Sequence, residues 1–240
     1  MKPFDMVKNI ARALLVFGVV LSCTSMVRAE DIPGYPDGVE AYDPRELNLL
    51  PPYCIHTMLF RDAIPGANDP AKVSKWRNAM GSGNFDTMHH YCWGLMKTNR
   101  GVLLARDQQT RLFYLRAAVH EFDYVLQRVA PDFLLLPEVL TKKGENLVRL
   151  GKGPLSVAVF ERAMEAKPDY WPPYAQLADY YKDIGDLKSA KETLDQGLAA
   201  VPDSAPLKRR LAELSTPTKK STAVVKKSDV KKSDKSPADQ

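Results

Sequence analysis

Two short segments gather the residues that could do chemistry, Cys54-x-His56 and His89-His90-x-Cys92. Two thiolates and two imidazoles make a tetrahedral zinc set, so Cys54, His56, His89 and Cys92 are the candidate metal ligands. Their spacing fits none of the familiar zinc patterns. His89 and His90 also diverge by about 100° on a helix, so at most one of them faces Cys92. A cysteine nucleophile paired with His89 or His90 is the corresponding catalytic reading, but no orienting third group accompanies it. The sequence contains no C-x-x-C-H, C-x-x-C, phosphate-binding glycine loop, G-x-S-x-G or H-E-x-x-H. These residues point away from an enzyme and call for no cofactor.

How the cysteines are read depends on compartment. Lys2, Lys8 and Arg12 precede an apolar run from Ala13 to Leu21, and Val27 and Ala29 are suitable residues before a cut. Residues 1–29 thus have the layout of a secretory signal, with an apolar core too short for the ~20 residues that span a bilayer. A rival reading takes Val20-Leu21-Ser22-Cys23 as a lipobox, in which acylated Cys23 becomes the mature N-terminus and anchors the protein to the outer membrane. Under either reading the protein is exported, to the periplasm or beyond. Export into an oxidising compartment leaves Cys54 and Cys92 as a pair, which predicts one disulfide. The metal site is the alternative.

The elements that must position these residues are helices. Between Pro137 and Pro202 one pattern occurs twice, with every equivalent pair 34 residues apart. Leu140, Gly144, Leu147, Gly151, Ser156, Phe160, Ala163 and Pro168 answer to Tyr174, Ala178, Tyr181, Gly185, Ala190, Leu194, Gly197 and Pro202. The apolar positions recur at helical three- and four-residue steps. Small residues allow two helices to approach closely, glycines suit the turn, and proline ends each unit. The pattern resembles the tetratricopeptide repeat (TPR) family, except that Lys143 stands where the pattern has the apolar residue supplied by Leu177.

The resemblance implies an all-α fold of stacked helix–turn–helix units and a groove, lined by the first helix of each unit, that holds a protein partner. The inward residues would be Glu138, Thr141, Glu145, Val148 and Arg149, then Ala175, Asp179, Lys182 and Asp183. Their balance is acidic, so a basic or polar partner is expected. Reversing Glu145 and Asp179 to lysine should weaken binding with stability kept. Some family members clamp a C-terminal carboxylate with an asparagine, but Glu145 and Asp179 occupy those positions here and no such clamp is expected.

The rest of the chain divides by composition. Residues 30–53, rich in Pro, Gly and Asp, read as an extended arm. Residues 54–83 read as two N-terminal helices, about Cys54 to Arg61 and Asp69 to Met80, with Gly81-Ser82-Gly83 as the break. Residues 84–131 loosely echo the repeat through Gly94, Gly101, Ala118 and Phe122 and predict a degenerate helix pair with a long turn at 102–107. Residues 132–215 hold the two clear repeats and a capping helix bearing Leu207, Leu211 and Leu214, with Lys208, Arg209 and Arg210 on its polar side. Residues 216–240 hold seven Lys and no aromatic residue, which predicts a disordered tail open to weak contact with anionic lipid or polysaccharide.

The net charge of +5 resides at the chain ends, since residues 30–215 hold 23 basic and 25 acidic side chains. No basic stripe with stacking aromatics is present, so nucleic acid is not an expected partner. The expected function is an exported TPR scaffold or adaptor that binds proteins of a cell-envelope complex. The alternative is a metal or redox protein built on the Cys/His cluster.

Overall fold

A computed structural model describes residues 44–215. The signal segment, Cys23, the start of the expected arm and the Lys-rich segment 216–240 lie outside them. Among the described residues the regular structure is all helical. These residues fall into two compact units that meet between Cys92 and Trp93.

In the first unit a short helix α1 (Pro44–Leu47) stands inside the stretch read as an extended arm. The helix expected at Cys54–Arg61 is instead a 3-10 turn over Cys54–His56, followed by a separate four-residue helix α2 (Phe60–Ala63). The break is local. The Thr57 backbone is extended, its hydroxyl donates to the Cys54 carbonyl at 2.7 Å, and Leu59 takes a φ of 69°. Helix α3 (Pro70–Met80) starts where Asp69 accepts from the Ala71 and Lys72 amides, with proline in its first turn. It stops at Gly81, whose φ of 81° suits glycine. Helix α4 (Ser82–Asn99) begins at once, so Ser82 and Gly83 are helical and the break is a single residue. Phe60, Phe85, Met88 and Tyr91 are fully or almost fully buried in this unit.

The second unit takes up α4 from Trp93. A π-helical turn over Arg100–Leu104 extends α4, and helix α5 (Gln108–Leu126) follows, capped by Asp107. The π turn places helix-like backbone within the stretch expected to be a turn. Then come α6 (Leu136–Arg149), α7 (Gly153–Ala166), α8 (Pro172–Asp183), α9 (Leu187–Ala200) and α10 (Ala205–Ser215). Turns of three residues join α6 to α7 and α8 to α9, so each pair is antiparallel. Gly151 and Gly185 adopt φ of 71° and 84° in these turns.

In the α4/α5 and α6/α7 pairs of the second unit the helices approach because one lacks a side chain where the other carries a bulky one. A Cβ on Gly144 would lie 2.5 Å from the Phe160 ring, and one on Gly94 would lie 2.4 Å from the Phe122 ring. Phe122, Phe160 and the equivalent Leu194 are all 1% exposed or less. Gly94 and Phe122 are therefore the degenerate pair's counterparts of Gly144 and Phe160. The sequence separation is 28 rather than 16 residues because the hairpin between them is longer. Lys143, the departure from the apolar pattern, reaches Asp123 of α5 at 2.6 Å, so its charge ties α6 to the preceding helix. Thr98 and Asn146 add a buried hydrogen bond of 2.9 Å between α4 and α6.

At the far end Leu207 of α10 packs with Phe160, Tyr174 and Leu194, while Leu211 and Leu214 lie against the same cluster. Gly94→Ala and Gly144→Ala should each lower stability by about 1–3 kcal/mol, because a buried ring must move to admit the methyl. Exposed Lys152→Ala should change it little. Urea unfolding checks this, and a Gly94→Ala protein as stable as its parent would remove the α4/α5 pair from the repeat register.

Candidate functional site

The Cys/His cluster resolves into a structural crosslink. Cys54 and Cys92 form a disulfide with Cα atoms 5.6 Å apart, and both residues are fully buried. Sulfurs bonded to each other are neither thiolate ligands nor nucleophiles. The buried His56 ring nitrogen Nδ1 lies 2.7 Å from the Ala67 carbonyl. His89 is buried with its ring 4.3 Å from that of His90. The candidate metal set Cys54, His56, His89 and Cys92 is therefore not assembled. Among the described residues no three His, Cys, Asp or Glu side chains gather as a metal ion would require.

The face formed by the first helices is present, but much of its charge is already committed. Thr141 is 1% exposed and donates its hydroxyl to the Pro137 carbonyl at 2.7 Å, which removes it from any partner surface. Ala175 is fully buried in the core and Val148 packs against that core. Glu145 is bracketed by Lys142 at 3.0 Å and Arg149 at 3.3 Å. Asp179 takes a forked contact from Arg210 of α10, with Nε at 3.0 Å from both carboxylate oxygens and an Nη at 2.8 Å from one. Lys182 reaches Glu213 of the same helix at 3.5 Å, and Asp183 is exposed. Tyr170 adds a further group. Burial, and then the negative charges of Glu138 and Glu145, push its hydroxyl up to about 12.

Sequence reading missed Lys142, Tyr170, Arg210 and Glu213 on this face. The steps from Lys142 to Glu145 and from Glu145 to Arg149 were visible as helical ion-pair spacings. The Asp179–Arg210 pair spans 31 residues, and no local pattern encodes it.

A second concave surface was not anticipated at all. A cleft of about 580 Å³ lies among α7, α8 and α9. Its floor includes Met164, Tyr174, Leu177 and Tyr181, and its rim includes Glu161, Glu165 and Glu192. All three glutamates are exposed, and among the described residues Glu161 and Glu165 have no ion pair. Glu192 has only a 3.8 Å approach from the exposed Lys188. Burial, followed by the charge of Glu161, raises the pKa of the Tyr181 hydroxyl at the cleft wall. The Glu161/Glu165 step reads as an ordinary solvated face in sequence, because most of the apolar floor beneath it comes from α8.

With this geometry in place, residues 150–214 match the tetratricopeptide repeat family model. The second unit has the helix-pair stacking of a TPR helical solenoid. A thermophilic TPR protein of Thermus thermophilus is similar in structure over 65% of this chain and 87% of its own, at 18% identity and a TM-score of 0.47. The comparison with curated proteins finds no match.

Two outcomes follow from the site. Cys54→Ser should destabilise the first unit by about 4 kcal/mol, the loop-closure value for a separation of 38 residues, with the loss read as an earlier unfolding transition that reductant no longer shifts. Asp179→Lys should lower stability by about 1 kcal/mol or more by setting a cation against Arg210, whereas Asp183→Lys should be near neutral. The first half corrects the expectation that reversal at Asp179 leaves stability unchanged. Thermal melts of the two variants distinguish them.

Proposed function

We propose that this protein is an exported TPR scaffold that holds a basic segment of a cell-envelope protein in the cleft among α7, α8 and α9. TPR folds act as protein-interaction scaffolds, which supports the general class. The export signal read in residues 1–29 supports the envelope location. The observation that carries the site is a rim whose Glu161 and Glu165 have no ion pair among the described residues, above an apolar floor. Such a surface rewards a segment that brings lysine or arginine to the rim and an aliphatic side chain to Met164 and Leu177.

Partner choice then rests more on the cleft than on the face of Glu138, Glu145, Arg149, Asp179 and Lys182, where internal pairs must be broken before a partner can use the charge. Asp183 stays open to contribute at the edge of that face.

Capture from envelope extract by the mature chain tests the reading. Glu161→Lys with Glu165→Lys should reduce capture of the specific partner at least tenfold and leave the melting temperature within a degree or two. Added salt should weaken the parent's capture in the same direction. Undiminished capture by the double variant would reject the cleft. The mass of the mature N-terminus decides between a chain beginning at Glu30 and one beginning at an acylated Cys23.

A further inference from the structure

The hairpin turns of the second unit share one end of the helix stack. Tyr180, near the end of α8, lays its ring against Gly153 at the start of α7, where a Cβ would lie 2.1 Å from it. Arg149, at the end of α6, lines one hollow of about 410 Å³ with Arg106, Arg111 and Leu112 of the preceding hairpin. The three turns therefore form one continuous edge.

That edge displays aliphatic side chains. Val102, Leu103 and Leu104 are 45%, 62% and 58% exposed at the tip of the π turn. Leu155, Ile184 and Leu187 at the next two turns are 61%, 59% and 55% exposed. The tip sits on an anchored base. Arg100 and Gly101 are buried, a Cβ on Gly101 would lie 3.1 Å from Leu115, and the Ala105 amide donates to the Arg100 carbonyl at 2.8 Å. The apolar side chains are thus held outward by the backbone, at a cost in water that a partner surface would remove.

The charge beside the first two turns is positive. Arg106 and Arg111 are exposed and, among the described residues, have no ion pair, and Lys152 is exposed in the second turn. Asp107 and Asp186 accept from the amides and hydroxyls of Thr110 and Ser189, which hold both carboxylates ionised. The cationic excess therefore lies at the first two turns, and the third, with Asp183 and Asp186 beside Lys188, is not cationic. Asp183 is the open carboxylate of the edge.

We propose that this hairpin-turn edge docks on an anionic phospholipid surface through its first turns, with Leu103 and Leu104 entering the acyl boundary and Arg106 and Arg111 meeting lipid phosphates. Composition favours lipid over protein. Leu and Val are under-represented at protein hot spots, whereas this edge carries protruding aliphatics. Protruding aliphatics flanked by cations are what an interfacial anchor requires. No described helix is long and apolar enough to cross a membrane. The inference stands apart from the cleft and its partner.

Sedimentation of the mature chain with phosphatidylcholine vesicles, with and without about one-third phosphatidylglycerol, tests it. The parent should bind the anionic vesicles at least tenfold more tightly than the neutral ones. Leu103→Asp with Leu104→Asp should reduce that binding at least tenfold. Arg106→Glu with Arg111→Glu, which leaves the apolar tip intact, serves if the first pair disturbs the melt, and should do the same. Glu161→Lys with Glu165→Lys should leave vesicle binding undiminished, which separates this edge from the cleft. Failure of the parent to bind anionic vesicles would overturn the proposal. So would binding by both edge variants within twofold of the parent, which would pass the contact to Lys-rich residues 216–240. Loss of envelope-protein capture by the edge variants with vesicle binding retained would make the edge a protein interface instead.

Discussion

The second unit depends on the close contact between a residue without a side chain on one helix and a buried ring or branched side chain on its partner. Gly144 against Phe160 sets the separation of α6 and α7, and Gly94 against Phe122 sets that of α4 and α5. At these distances the Cα of one helix lies on the ring of the other, so the pairs gain dispersion contacts that a Cβ would prevent. Each pair leaves an apolar flank that it cannot bury by itself. The next pair covers it, until Leu207 of α10 closes the last one over Tyr174 and Gly197.

Charge is arranged around this packing in two ways. Where successive helix pairs meet, ion pairs are consumed in joining them, Lys143 to Asp123 and Asp179 to Arg210, and within the α4/α5 pair the largely buried Lys97 is tied to Glu121. Lys97 and Glu121 sit where dehydration makes an unpaired charge costly, so each requires the other. On the cleft rim the glutamates have no such duty. Their like charges are tolerated because they are exposed, and a partner that neutralises them gains more than one that must first displace an internal cation.

The first unit lacks repeated packing of this kind and relies on a covalent tie. Its elements α1 and α2 are four residues long, too short to be stable by their own hydrogen bonds. The Cys54–Cys92 bond fixes the 3-10 turn to α4, and the His56 contact to Ala67 fastens the loop before α3. A crosslink of this separation acts mostly by restricting the unfolded chain, so it serves where little apolar area is available.

Sequence alone determined the helix pairs, their 34-residue period, the closing helix with Leu207, and the start of α3 at Asp69-Pro70, because these depend on residues within one or two helical turns or on an exact repeat. It also put Cys54 and Cys92 in contention both as a disulfide and as metal ligands, since residue types specify chemistry without distance. Tertiary structure decided between these by bringing the sulfurs together. It showed that Gly94 and Phe122 are partners across an enlarged hairpin, where insertion had hidden the spacing. It turned Thr141 inward, joined Asp179 to Arg210, and set Glu161 and Glu165 above an apolar floor contributed by α8. Each of these depends on side chains from separate helices meeting in space, and helical periodicity reports only which face a residue lies on, not what the neighbouring helix places opposite it.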